Sequence, residues 1–238
     1  PTGDVVTLPA VTTARLQVIH NAADPGAEMV DIYLNDTLLL DDFKFRMATE
    51  YIDAPANTEF TIGVAGPNSS SADESLAKIP VTLMAGESYV AVANGVLDPT
   101  KFADNPDGRE TAFQLLVKKG AREMAKPDMA EGEKNVQFVV LHGATDAPAV
   151  DVIARDVATL VEGAAYTDFT DYITVPADKY MLDITPAGMN ETIVATFKAD
   201  LSGLAGGAAV VFASGFLSPM DNMDGKAFGL FAALPNGV

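Results

Sequence analysis

The chain has 238 residues, 48% of them hydrophobic, with no cysteine, no tryptophan and a formal charge of -18. That length holds two small cores, and the missing thiols exclude disulfides and thiolate metal sites. The charge opposes phosphate backbones and anionic lipid, so neither nucleic acid nor a membrane surface is an expected partner.

Residues 1–13, PTGDVVTLPAVTT, read as a mature N-terminus left after processing and as a β-prone arm. Val5, Val6 and Leu8 are its apolar members, and Pro9 confines any strand to an edge or an end. Such an arm either pairs with its own first domain or adds to the edge of a neighbouring subunit, with Val5, Val6 and Leu8 as contacts.

The stretch ARLQVIHNAADPGAEMVDIYLND (14–36) returns as NVQFVVLHGATDAPAVDVIARD (135–156). In the first copy Leu16, Val18 and His20 alternate with Arg15, Gln17 and Ile19, and Val30, Ile32 and Leu34 alternate with Asp31, Tyr33 and Asn35. That is the period of two of a half-buried strand. The loop between is rich in Asp, Pro and Gly, and the second copy is shorter there, where length changes are tolerated.

The likeness continues. Tyr51, Ile52 and Pro55 answer Tyr172, Ile173 and Pro176; ANGVLDP (93–99) answers ASGFLSP (213–219); AFQL (112–115) answers AFGL (227–230). A repeat of roughly 100 to 120 residues is a domain rather than a solenoid unit.

Residues 14–121 are therefore read as repeat one, 122–134 as a charged, solvated linker and 135–238 as repeat two. Each repeat offers seven or eight short strands cut by turn formers and no sustained helical period. The segment around AFQLLVKK, which could be drawn as a helix, reads as a strand because its second copy makes a poor helix. The expected fold is all-β: two tandem antiparallel sandwiches of immunoglobulin-like or transthyretin-like kind. No apolar run reaches the roughly 18 residues of a membrane-spanning helix, so insertion is not expected.

His20 and His142 are the only histidines. Each ends a strand, with an Asp four residues on (Asp24, Asp146) and another in the next strand (Asp31, Asp151). A histidine among carboxylates is raw material for a general base or a metal site. One per domain is too few for a typical zinc site, and these six residues are read as a loop-fixing set. Ser214 beside Gly215 has Asn94 as its counterpart and no nucleophile elbow, which argues against a hydrolase.

DNPDG (104–108) and DNMDG (221–225) put Asp104, Asp107, Asp221 and Asp224 into tight loops whose hard oxygens suit calcium. Neither completes the twelve-residue calcium loop, and Asp-Gly before a strand is also an ordinary turn. No other cofactor is expected. Glycan recognition commonly uses exposed aromatic platforms, which strand-bound tyrosines do not obviously supply. Asn35, Asn68 and Asn190 lie in glycosylation sequons.

His20, Asp24, Pro25, Val30 to Tyr33, Tyr51 and Pro55, and in the second copy His142, Asp146, Pro148, Val150 to Val152, Tyr172 and Pro176, resemble the family called domain of unknown function 4397. Copy two fits the family's H-x-x-P-D-x-P-x-V-D-V pattern better, since the loop of copy one is longer. The resemblance implies a secreted or surface-attached prokaryotic protein with sandwich domains in tandem and no established catalytic activity. The expected function is therefore a non-enzymatic, exported structural or adhesive protein, a homo-oligomer or polymer of filament or surface-layer type built by strand addition of the arm. The alternative is an extracellular module binding glycan or calcium.

Overall fold

The computed structural model describes residues 10–126 and 134–237. Val5, Val6 and Leu8 of the arm, and most of the second half of the linker, lie outside them. Repeat one forms β1 (Thr13–Asn21), β2 (Met29–Leu34), β3 (Thr37–Lys44), β4 (Ile52–Pro55), β5 (Glu59–Ala65), β6 (Ser75–Thr82), β7 (Ser88–Asn94) and β8 (Gln114–Lys119). Repeat two forms β9 (Asn135–Leu141), β10 (Val150–Ala154), β11 (Ala158–Ala164), β12 (Ile173–Pro176), β13 (Lys179–Pro186), β14 (Ala195–Asp200), β15 (Ala208–Ser214) and β16 (Gly229–Ala233). The AFQLLVKK segment supplies strand β8. Short 3-10 turns are the only helical elements among the described residues, and no helix there is long and apolar enough to cross a membrane.

Each repeat is a sandwich of two four-stranded sheets. In repeat one the sheets run β4-β1-β7-β8 and β3-β2-β5-β6; in repeat two they run β12-β9-β15-β16 and β11-β10-β13-β14. Pairing is antiparallel except that β1 runs parallel to β7, from Arg15–Ser88 to Asn21–Asn94, and β9 runs parallel to β15. Strand alternation carries no sign of direction. A parallel pair needs only a long connection, and the rest of each sandwich is that connection.

Leu16 and Val18 of β1 meet Val30, Ile32, Phe60 and Ile62 of the facing sheet in the first core. Phe138 and Val140 meet Val152, Leu182 and Ile184 in the second. A third core joins the repeats: Ile19, Val90 and Val92 pack against Val139, Leu141, Val210 and Phe212. The molecule is thus four sheets deep, with the β1 and β9 sheets in the middle.

This corrects the reading of β1 as half-buried. Its second face, Gln17 and Ile19, is only 1% and 0% exposed, because it meets repeat two instead of water. It also corrects the solvated linker over 122–126. The Arg122 amide donates to the Tyr172 hydroxyl at 2.7 Å, the Arg122 guanidinium stacks 4.0 Å from that ring, and Met124 bridges to Gly207. Glu123 binds Arg15 of β1 at 2.9 Å.

Candidate functional site

The polar residues shared by the two copies gather at the end of the molecule where β1 and β9 finish. His20, the penultimate residue of β1, is 1% exposed. Its Nε2 donates to the Ala27 carbonyl at 2.8 Å, and its Nδ1 accepts the Ala22 amide at 3.3 Å, which fixes the tautomer. The ring lies 6.0 Å from both Phe43 and Phe45. Burial in this apolar setting brings its pKa down to about 4, against a weaker opposing effect of the Ala27 carbonyl. His142 repeats part of the arrangement: its Nε2 lies 3.0 Å from the Pro148 carbonyl, its buried Nδ1 has no hydrogen-bond partner among the described residues, and burial lowers its pKa too. Both rings bond a backbone carbonyl through Nε2, and burial favours their neutral form.

Asp24 and Asp146 clamp the loop after the histidine to the turn after the late strand of the same repeat. Asp24 accepts the Gly26 amide at 2.7 Å and the Leu97 amide at 2.8 Å. Asp146 accepts the Leu217 and Ser218 amides, each at 2.9 Å. Asp31 and Asp151 pin bulges. Asp31 accepts the Asp42 amide at 3.0 Å and the Ser69 amide and hydroxyl at 2.9 and 2.6 Å. Asp151 takes the Gly163 and Gly188 amides at 2.6 and 2.9 Å. Asp42 and Gly163 both adopt positive φ where the β2–β3 and β10–β11 registers shift. Burial alone would raise the Asp31 carboxyl, but these donors outweigh it and leave its pKa below the ordinary value.

In the acidic loops the buried member is the asparagine. Asn105 is 5% exposed and donates to the carbonyls of Thr145 and Ala147 in repeat two, at 2.8 and 3.2 Å. Asn222, fully buried, accepts the Ala103 amide of repeat one at 3.0 Å. Asp107 accepts the Ala149 amide at 2.7 Å, also across the interface. Asp104, Asp221 and Asp224 are exposed. Asp221 accepts the Ser218 hydroxyl beside it. The carboxylates that do converge among the described residues are Asp31, Asp41 and Asp42, with one ligand atom each within 4.8 Å of the others, and Asp31 is already engaged by the donors above.

Further residues cross the interface that the sequence reading did not assign there. Arg46, held at positive φ, reaches from repeat one to the Ser214 and Ala227 carbonyls at 3.1 and 2.6 Å and lies 4.1 Å over the Phe231 ring. Arg109 binds the Tyr166 carbonyl and Asp168 at 3.1 and 3.0 Å. Asn21, Asn94 and the Tyr166 hydroxyl form a buried chain with links of 2.8 and 2.9 Å, and burial pushes the Tyr166 phenol up. Gly143 lies against it: a Cβ there would come 2.1 Å from Asn21 Nδ2 and 2.7 Å from the Ala213 carbonyl. Their signal in the sequence is asymmetry. Gly143 stands where copy one has Asn21, and Ser214 where it has Asn94, because the two repeats face each other with complementary rather than identical residues.

Chemically, the arrangement holds backbone. Among the described residues, neither histidine has a carboxylate or hydroxyl hydrogen-bonded to its ring.

The sequence profile described as domain of unknown function (DUF4397) matches residues 14–115 and 136–224. No curated protein matches the chain. Solved structures that resemble it include a streptococcal virulence factor described for α-glucan binding, at 8% identity and TM-score 0.24, covering 84% of this chain and 92% of that one. The Bacillus anthracis TIE protein follows at 11% and 0.23, with coverage of 86% and 50%. The fimbrial anchor protein Mfa2 from Porphyromonas gingivalis stands at 10% and 0.17, with coverage of 95% and 98%. At such TM-scores none of the three says anything of this chain's activity or partners.

Proposed function

The chain belongs to the family described as domain of unknown function (DUF4397), in two tandem copies, and we propose that it is a non-enzymatic, exported structural or adhesive protein that self-assembles through its N-terminal arm. One observation carries this reading. The polar residues that recur in both copies, His20, Asp24 and Asp31 with His142, Asp146 and Asp151, each hold main-chain groups of their own repeat. A chain whose repeated polar residues stiffen loops, and whose two domains share a core, has the makings of a rigid building block.

The arm supplies the means of joining blocks. An apolar extended segment adds to an open sheet edge through main-chain hydrogen bonds, and alternate side chains set the fit. Thr13 already belongs to β1 and pairs with Pro55, so the informative deletion is Pro1 to Pro9.

The test is the size distribution of the purified chain by light scattering and negative-stain microscopy. Filaments or large oligomers are expected from the parent and monomers from the deletion variant, with both melting as folded proteins. A parent that stays monomeric across salt and protein concentration, or assembly that survives the deletion, overturns the reading.

A further inference from the structure

The sandwich of repeat two is less completely filled than its residues' counterparts in repeat one would make it. A cavity of about 520 Å³ lies between its sheets, floored by Phe138, Ala209 and Val211 and walled by Phe197, Ala199 and Leu204. Its boundary also includes the outward-facing Lys198 and Asp200 of β14 and Ala232 of β16. Both β14 and β16 are edge strands, so the cavity is a groove open between two sheet edges.

The duplication shows what is missing. Ala209 pairs with Phe138 as Tyr89 pairs with Leu16, and Ala199 pairs with Tyr180 as Val81 pairs with Phe60. At the place of Ala209, repeat one has a buried tyrosine whose hydroxyl accepts the Met84 amide at 3.1 Å. Repeat two replaces both residues with alanine. Phe197 in place of Ile79 and Phe138 in place of Leu16 add volume elsewhere without closing the groove.

We propose that this groove receives the N-terminal arm of a second copy of the chain as an added strand between β14 and β16. The inference rests on the assembly reading above and names its acceptor. Val6 and Leu8 are two residues apart, so in an extended strand they fall on one face and can enter the space left by Ala199 and Ala209. Nine extended residues reach about 30 Å, longer than the six-residue edge of β14. The donor is a second copy because the assembly reading above has the arm join neighbouring chains. Ala10, Val11 and Thr12 are exposed, and Thr13 is tied by its carbonyl to the Gly86 amide at 2.9 Å, on the turn of repeat one.

The experiment compares the full parent chain, the variant lacking Pro1 to Pro9, and Ala209→Tyr, which gives repeat two the residue repeat one already accommodates. A labelled peptide of residues 1–13 is titrated into the arm-less variant with and without A209Y, and assembly of the full-length forms is followed by light scattering. The peptide is expected to bind the arm-less protein and to lose at least tenfold in affinity with A209Y, while full-length A209Y stays monomeric and folded. If full-length A209Y assembles like the parent, the groove is not the acceptor although arm-driven assembly stands. If assembly survives loss of the arm, both readings fall. If the parent is monomeric and losing the arm opens the groove to an apolar dye, the arm sits in its own chain and the proposal is overturned. Should A209Y fail to fold, Ala199→Val is judged by the same outcomes.

Discussion

At the scale of single residues, the buried histidines make stability depend on pH. The pKa of His20 falls from 6.5 to about 4 on folding, so between those values the unfolded chain binds the extra proton. Its contribution is complete above pH 6.5 and is lost as pH falls toward 4, a change of about 3 kcal/mol at this site. Urea unfolding at pH 7.5 and pH 4 should show that loss, and His20→Gln should flatten its share of the slope while His142 retains its own. An unchanged slope in the variant would remove the histidine from the account. Asp31 acts at lower pH: its carboxylate helps folding above the ordinary value of 3.8 and ceases to as pH drops through its depressed folded value. Among the described glycines, Gly143 has the least room for a side chain. Gly143→Ala sets a methyl against Asn21 and the Ala213 carbonyl and should cost about 1–3 kcal/mol, measured as a lower melting temperature.

At the scale of elements, the bulged edge strands depend on one carboxylate each. Asp151→Ala removes the acceptor from the Gly163 and Gly188 amides. It should cost about 2 kcal/mol, about 4–8 °C in melting temperature for a chain this long, with hydrogen exchange rising first in β10 and β11. Exchange that rises evenly across both repeats would show that Asp151 does not anchor this hairpin. The positions of Asp31 and Asp151 were legible from the repeat, since both copies place the acid at the same point of the second strand. What they bind was not, because the bulge lies in β3 and β11, where the letters are DD in one copy and EG in the other. The strands themselves were legible from alternation and turn residues. The parallel pairs and the doubly buried face of β1 were not, since Gln17 and Ile19 have the same letters whether they meet water or another domain. In the acidic loops the letters drew attention to the carboxylates; the contacts that cross the interface come from Asp107 and from the buried Asn105 and Asn222.

At the scale of the molecule, the shared core should make the two repeats one cooperative unit. Calorimetry should show a single transition whose van't Hoff and calorimetric enthalpies agree. Repeat two expressed alone, exposing Val139, Leu141, Val210 and Phe212, should aggregate; two resolved transitions would mean the interface is weaker than its burial implies. With a charge of -18 on each copy, assembly should strengthen as added salt screens repulsion. The place of β1 in its sheet bears on what such an assembly withstands. The arm continues into a strand flanked on both sides, by β4 and by β7, so tension along the arm draws β1 lengthwise. Its hydrogen bonds to β7, from Arg15 to Asn21, and to β4 are then loaded together in shear instead of being unzipped one after another. Forced unfolding is governed by the unfolding barrier, so in the proposed arm-joined assembly a load shared in this way would raise the tension at which the donor subunit itself unfolds.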